Sequence, residues 1–334
     1  MTFLKDRKKI PQAAVLTAGI ALLPFVLRMI SGNQYGVYIA CISLIYIIAV
    51  SGLDVVFGYC GQINMGHAAF FVLGSYASGM LNKYFGLPLA VTILLASVFT
   101  TIIGGILAYP AAKLKFHFLS LATIAFSEVV YNVLYFSPNN ITGNQLGMYV
   151  AHIGFLKDFT AWYYFLLFFT VIAILLKHFL FNSRVGRAFT AIRENTHAAD
   201  GMGVNVRKHK VMAFMVSSFY AGFAGAIYVH LIGYIHPDTV RQRQSVLFLT
   251  MLLFGGTSSI AGPIIGVIFI NVLLEVIRPL QEYQMLLYGV LLLIVIVALP
   301  GGIYGGIKDL GVQLKRRLVA KAEADAGNAG DADV

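Results

Sequence analysis

Charge is what this chain has least of. Only 11% of its 334 residues are Asp, Glu, Lys or Arg, against 59% hydrophobic, whereas an ordinary soluble domain carries about a quarter charged residues. Cysteine is nearly absent as well. Cys41 and Cys60 are the only two; both lie in or beside apolar stretches, and they offer neither a disulfide framework nor metal-ligand spacing. Catalytic signatures are missing: there is no HExxH helix, no GxSxG nucleophile elbow and no GxxxxGK[ST] phosphate loop. The glycine-rich stretch GGTSSIAG has no lysine, so the chain does not itself hydrolyse ATP. These absences exclude a soluble enzyme, a metalloprotease and an ATPase.

What is present is apolar length. Stretches of roughly twenty hydrophobic residues recur from end to end, the length that crosses a bilayer core of about 30 Å. Spans are predicted at residues 11–30, 37–57, 63–82, 87–110, 116–136, 161–181, 211–233 and 284–300. Residues 246–278 are too long for one span and are interrupted by GGTSSIAGP, which predicts two segments, one short, in a hairpin or re-entrant arrangement. The result is an all-α polytopic membrane protein of about ten transmembrane or re-entrant segments. A β-barrel would show short alternating segments instead. The N-terminal MTFLKDRKKI and its apolar run resemble a signal peptide, but no small-residue cleavage site follows and Pro11 and Pro24 bracket the run, which predicts a retained helix.

The net charge of +10 does not point to nucleic acid, because the basic residues sit in short loops and at span ends, where orientation signals belong. With the N-terminus inside and alternating spans, Lys5, Arg7, Lys8, Lys9, Lys113, Lys115, Lys177, the six basic residues from Arg184 to Lys210 and the five from Lys308 to Lys321 fall inside, 18 of 24. A single crossing over 246–278 would push Lys315, Arg316 and Arg317 outside. The expected layout is a cytoplasmic stretch 1–10, a transmembrane domain 11–310 and a cytoplasmic, disordered tail 311–334. Loops 137–160 and 234–245 are then extracytoplasmic.

One polar island interrupts the apolar sequence, residues 183–210. Phe189, Ile192, Ala199 and Met202 fall near one face of a helix, with Arg187, Arg193, Glu194, His197 and Asp200 on the rest. Asn182 or Ser183 suits its start and Gly203 its stop. Two readings fit: a helix presented to a partner, or a loop lying at the headgroups under the positive-inside rule.

Two glycine-rich breaks stand at membrane depth, GYCGQINMGHAAF (58–70) and FGGTSSIAGPIIG (254–266). A broken helix frees backbone groups that hydrocarbon cannot satisfy, so such breaks line watery paths or lie buried in protein. Close helix packing through small residues is the alternative. Gln62, Asn64 and His67 beside the first break, and Gly255 and Gly256 in the second, are the candidate path residues. Glu128, near the middle of a span, joins them, because a charge there is costly; protonation, or pairing with Asn132 in the bundle interior, is the other account. Asp54 and Glu275 lie nearer span ends and are expected to reach interfacial water.

These patterns converge on a family. GYCGQINMGHAAFFVLGSYASGML resembles the signature segment of the branched-chain amino-acid ABC permeases, in the subclass of the M-type liv membrane subunit. TIAFSEVV, TGNQLG, the stretch from RAFTAIRENTHAADGMG into the next helix, GGTSSIAGPIIG and LPGGIYG resemble further family segments in consistent order, from about residue 35 to 310. Departures are Asn144 and Ser258 where the family pattern has glycine, and Lys115-Phe116 where it often has Arg-Gly. The resemblance implies an ABC-importer permease fold in a bacterial or archaeal cytoplasmic membrane, carrying branched-chain or other small amino acids. It implies two cytoplasmic ATPase subunits, a second related permease, an extracytoplasmic binding protein and surrounding lipid as partners, and no nucleic acid. No cofactor is expected in this chain, ATP and Mg²⁺ being held by the ATPases. Arg193, Glu194, Ala198, Ala199 and Gly203 would be the residues that dock on an ATPase. The alternatives are an ion-coupled secondary transporter, which one intramembrane carboxylate supports thinly, and a related permease for urea or short amides.

Overall fold

The computed structural model describes residue 24, residues 34–113, 116–150 and 158–280, and isolated positions between 286 and 306. The span expected at 11–30, nearly all of that at 284–300, the basic clusters at 5–9 and 308–321, Lys115, Lys157 and the tail lie outside the described residues. The chain forms two compact units divided between Phe248 and Leu249.

The first unit is helical. Helix α1 (Tyr35–Asp54) runs on as a π-helical turn, Val55–Tyr59, and is followed by α2 (His67–Phe85), α3 (Leu89–Ala111), α4 (Phe116–Tyr135) and α5 (Phe159–Asn182). Two short helices, α6 (Arg184–Glu194) and α7 (Thr196–Gly201), precede the 27-residue α8 (Val206–Ile232). Among the described residues, five segments are long and apolar enough to cross a membrane: Tyr35–Tyr59, Leu89–Ala111, Phe118–Tyr135, Phe159–Asn182 and Val206–Ile232.

Helix α8 is the axis against which α1, α2 and α3 pack. Small residues let the backbones close: a Cβ on Gly74 of α2 would meet the Gly222 backbone of α8. Lipid is as apolar as leucine, so such close approach, with hydrogen bonds across the seam, is what holds membrane helices together. Ser75 Oγ donates to Gly225 O at 2.7 Å, and Ser78 Oγ lies 2.9 Å from His230 Nε2. Helix α2 is therefore polar where a lipid-facing helix could not be, and it falls outside the five apolar segments although a span was expected there. Its start is Gly66–His67 rather than residue 63, because residues 60–66 are non-helical. Outward faces of α3, α4 and α5 expose Leu94, Val98, Ile102, Ile106, Val129, Val133, Phe168 and Leu175, an apolar belt far larger than a soluble surface carries.

Helix α9 (Gln242–Gly255) crosses the division between the units, and α10 (Ala261–Ile277) lies in the second. The predicted split of 246–278 is thus observed, with the break at 256–260. Glu275 is half-buried and lies 3.3 Å from Arg278.

Candidate functional site

The polar island is a cap-controlled pair of helices rather than one. Ser183 Oγ accepts from Gly186 N at 3.3 Å and starts α6; Asn195, extended at φ −157°, stops it and starts α7 by accepting from His197 N and Ala198 N at 3.0 and 3.1 Å. Asn205 Oδ1 then accepts from Lys208 N and starts α8. The kink at Asn195 resets the helical register, so the expected single face does not continue through it. Phe189, Ile192 and Ala199 are buried, but Met202 is 86% exposed. Gly203 ends the segment at φ +83°, a left-handed stop that glycine adopts without a Cβ penalty. Arg193, Glu194, Ala198 and Gly203 are exposed; Ala199 faces inward.

Arg193 joins this island to the first glycine-rich break. Its Nη1 donates to the carbonyl of Gly58 at the end of the π-helical turn. Its side chain also lies over Gly61, where a Cβ would come 3.1 Å from Arg193 Cγ. Gly61 stands at φ +68°, so both its backbone conformation and the arginine above it call for glycine. Beside this contact, the rings of Tyr59 and Phe181 stack at 3.3 Å, and Lys177 Nζ lies 2.7 Å from Asp54 Oδ2 with neither side chain exposed. Asp54 does not reach interfacial water as expected, and Lys177 is no loop charge. Each sits in an apolar run, and sequence shows both charges without showing that their helices adjoin.

The break itself is closed by protein. Met65 N donates to Thr123 Oγ1 of α4, Gly66 N to Asn64 Oδ1, and Ala68 N to Ser245 Oγ, so the amides freed by unwinding are satisfied by side chains. His67 bridges α1 and α8, with Nε2 2.9 Å from Ala49 O and Nδ1 3.4 Å from Ser217 Oγ. Gln62 and Asn64 are 4% and 1% exposed, and Gln62 Oε1 and Asn64 Nδ2 have no hydrogen-bond partner among the described residues. In the second unit, a Cβ on Gly255 would meet Gly262 O, so Gly255 serves the close crossing of α9 and α10; Gly256 takes φ +106° to make the turn.

Glu128 is not in the bundle interior. It is exposed on the outward face of α4, in line with Leu121 and Val129, and Asn132 Nδ2 donates to its backbone carbonyl at 2.7 Å.

At the far end of α8 a short seam ties two loops. Strand β1 (Met148–Tyr149) pairs antiparallel with β2 (Tyr234–Ile235), Met148 opposite Ile235. Tyr234 Oη donates to Leu146 O at 2.7 Å and His236 Nε2 lies 2.8 Å from Gln145 O. Arg241 bonds Asp238 at 2.7 Å and the Tyr131 hydroxyl at 3.1 Å, and these partners, Tyr131 first, hold its guanidinium above its ordinary pKa. Leu146 and Tyr149 remain 81% and 75% exposed.

A family model described as the permease component of a branched-chain amino acid transport system matches residues 35–296. The chain is 28% identical to the high-affinity branched-chain amino acid transport system permease protein LivM of Escherichia coli K12, over 79% of this chain and 69% of that one. It is 25% identical to LivH of the same strain, over 85% and 96%. The guanosine ABC transporter permease protein NupQ of Bacillus subtilis is 24% identical over 58% and 67%. No solved structure matches.

Proposed function

The chain belongs to the family of permease components of branched-chain amino acid transport systems, and from that membership we propose that it is the membrane-spanning subunit of an ATP-driven importer of branched-chain or other small amino acids. The observation that carries this is the extent of the match, which takes in the island and both breaks. We assign the island to the cytoplasmic face, where Glu194, Ala198 and Gly203 meet one of two ATPase subunits, and the seam of Leu146 and Tyr149 to the outer face, where a loaded binding protein docks. In support, α8 separates the two by 27 residues, about 40 Å and the thickness of a bilayer with its headgroups. ATP and Mg²⁺ reside in the ATPases. The layout of about ten segments, with both termini cytoplasmic in a bacterial or archaeal inner membrane, completes the reading.

Glu128 supports a second permease subunit. A carboxylate facing hydrocarbon is costly, so the outward face of α4 is assigned to a contact with that subunit, with the substrate path between the two chains rather than inside this one. Gln62, Asn64, His67, Gly255 and Gly256 then act behind the path wall, holding the broken helices that move. ATP binding draws the ATPases together, the island moves with them, and the spans switch from inward to outward opening.

Uptake by vesicles holding the complex tests this. Transport that needs internal ATP and survives a protonophore is expected; transport abolished by the protonophore with ATP intact overturns it in favour of ion coupling. The guanosine-permease relative makes a nucleoside the second cargo reading, separated by thermal-shift screening of the cognate binding protein against leucine, isoleucine, valine and nucleosides.

A further inference from the structure

The island and the first break are mechanically one piece. Helix α1 does not end in an ordinary cap: its last turn widens into the π-helical Val55–Tyr59 and then unwinds through Cys60 and Gly61. Turns of this kind cluster at functional positions because they hold a helix in a shape that can change. Carbonyls at a helix end carry the negative pole of the helix dipole, and an arginine there is a favourable partner. Arg193 supplies it to Gly58 from the last turn of α6, across 135 residues of sequence. On the same turn, Tyr59 stacks on Phe181 at the end of α5, and Asp54, one residue before the turn, is tied to Lys177. The turn and the residue before it are thus held by α5 and α6 at three points, 54, 58 and 59, while its continuation satisfies its amides on α4 and on the start of α9.

We infer that Arg193 is a positioning residue that works inside this chain. It acts as a strut carrying displacement of the island onto the π-helical turn and the unwound segment 60–66, rather than as a contact with the ATPase. This rests on the importer reading. Arg193 is exposed as Glu194 and Ala198 are, but its guanidinium is engaged on the Gly58 carbonyl; Glu194 and Ala198 are left to meet the ATPase, and Gly61 is the groove in which the strut lies. Any movement of α6 by the ATPase then pulls on Gly58 through a charge-assisted bond while Lys177 and Asp54 hold the end of α1, so the segment between them must change its winding.

Cys60 reports this directly, because it lies within the turn's exit, is buried, and is a free thiol. Reaction of the native complex with N-ethylmaleimide, read by peptide mass spectrometry, distinguishes Cys60 from the buried Cys41. Modification of Cys60 is expected to differ severalfold between the nucleotide-free and ATP–vanadate-trapped states, with Cys41 unchanged. Equal Cys60 reactivity in the two states overturns the strut with no variant needed. Arg193→Ala is expected to keep its ATPase bound on co-purification, to lose the nucleotide dependence at Cys60, and to lower transport per ATP hydrolysed by about tenfold, the weight of one hydrogen bond to a charged group. Arg193→Lys recovers part of this. Loss of the ATPase from Arg193→Ala, with Glu194→Lys behaving alike, returns Arg193 to the ATPase contact and overturns the inference. If the wild-type complex neither binds an ATPase nor needs ATP, the importer reading fails instead.

Discussion

Lys177 Nζ and Asp54 Oδ2 stand 2.7 Å apart with both side chains fully buried. Such a pair gains little net stability over an apolar replacement, but removing one partner strands a buried charge and costs about 3–5 kcal/mol. Lys177→Met or Asp54→Leu alone is therefore expected to lower the yield of inserted protein and its thermal stability sharply. The double variant recovers most of both. Fluorescence-detected size exclusion with a heating series checks this, and additive losses in the double variant would show that the two residues do not act as a pair.

The periodic apolar runs made the helices legible, and the break at 256–260 was visible because glycine and serine interrupt an overlong run. The pairing of Asp54 with Lys177 was not, since sequence shows each charge but not which helices adjoin. Asn195 was missed for a related reason. Its side chain caps α7 only because α6 has just ended, so a periodicity that skips over it still carries Met202 onto the buried face. Asn144 and Ser258, read as departures from a glycine pattern, stand at φ +47° and +57°. Both take a left-handed backbone, which suits the glycine of the pattern that this chain resembles. For Glu128, sequence left a functional charge, a protonated carboxyl and an interior pairing with Asn132 all open; the outward face of α4 is visible only once its neighbours are known.

Glu128 faces outward in the single chain, which predicts water rather than lipid beside it in the complex. Glu128→Cys is expected to react with a membrane-impermeant maleimide in the assembled transporter, and to be protected by substrate-loaded binding protein. Val133→Cys, on the apolar belt, remains unreactive. Equal silence at both positions would return Glu128 to the lipid boundary.

Leu146 and Tyr149 crown a seam whose backbone is fixed by β1, β2 and Tyr234, so their exposure is held by the fold. A buried aromatic anchor at an interface is commonly worth about 2 kcal/mol or more. Tyr149→Ala and Leu146→Asp are each expected to raise the concentration of binding protein needed for half-maximal ATPase stimulation by more than tenfold, without changing yield. Unchanged stimulation would move the docking face elsewhere.

Gly203 separates two accounts of the island's end. A Cβ added there meets nothing within 4 Å, yet the residue stands at φ +83°. Substitution therefore acts through the backbone: a left-handed L-residue costs about 1–2 kcal/mol, asparagine less, and a β-branched residue most. If the stop serves to set the angle at which α7 meets α8, transport per ATP should fall in the order Gly, Asn, Ala, Val, regardless of side-chain volume. If Gly203 is instead a close contact with the ATPase, the larger asparagine should be worse than alanine. Coupled uptake and ATPase assays on the three variants decide between them.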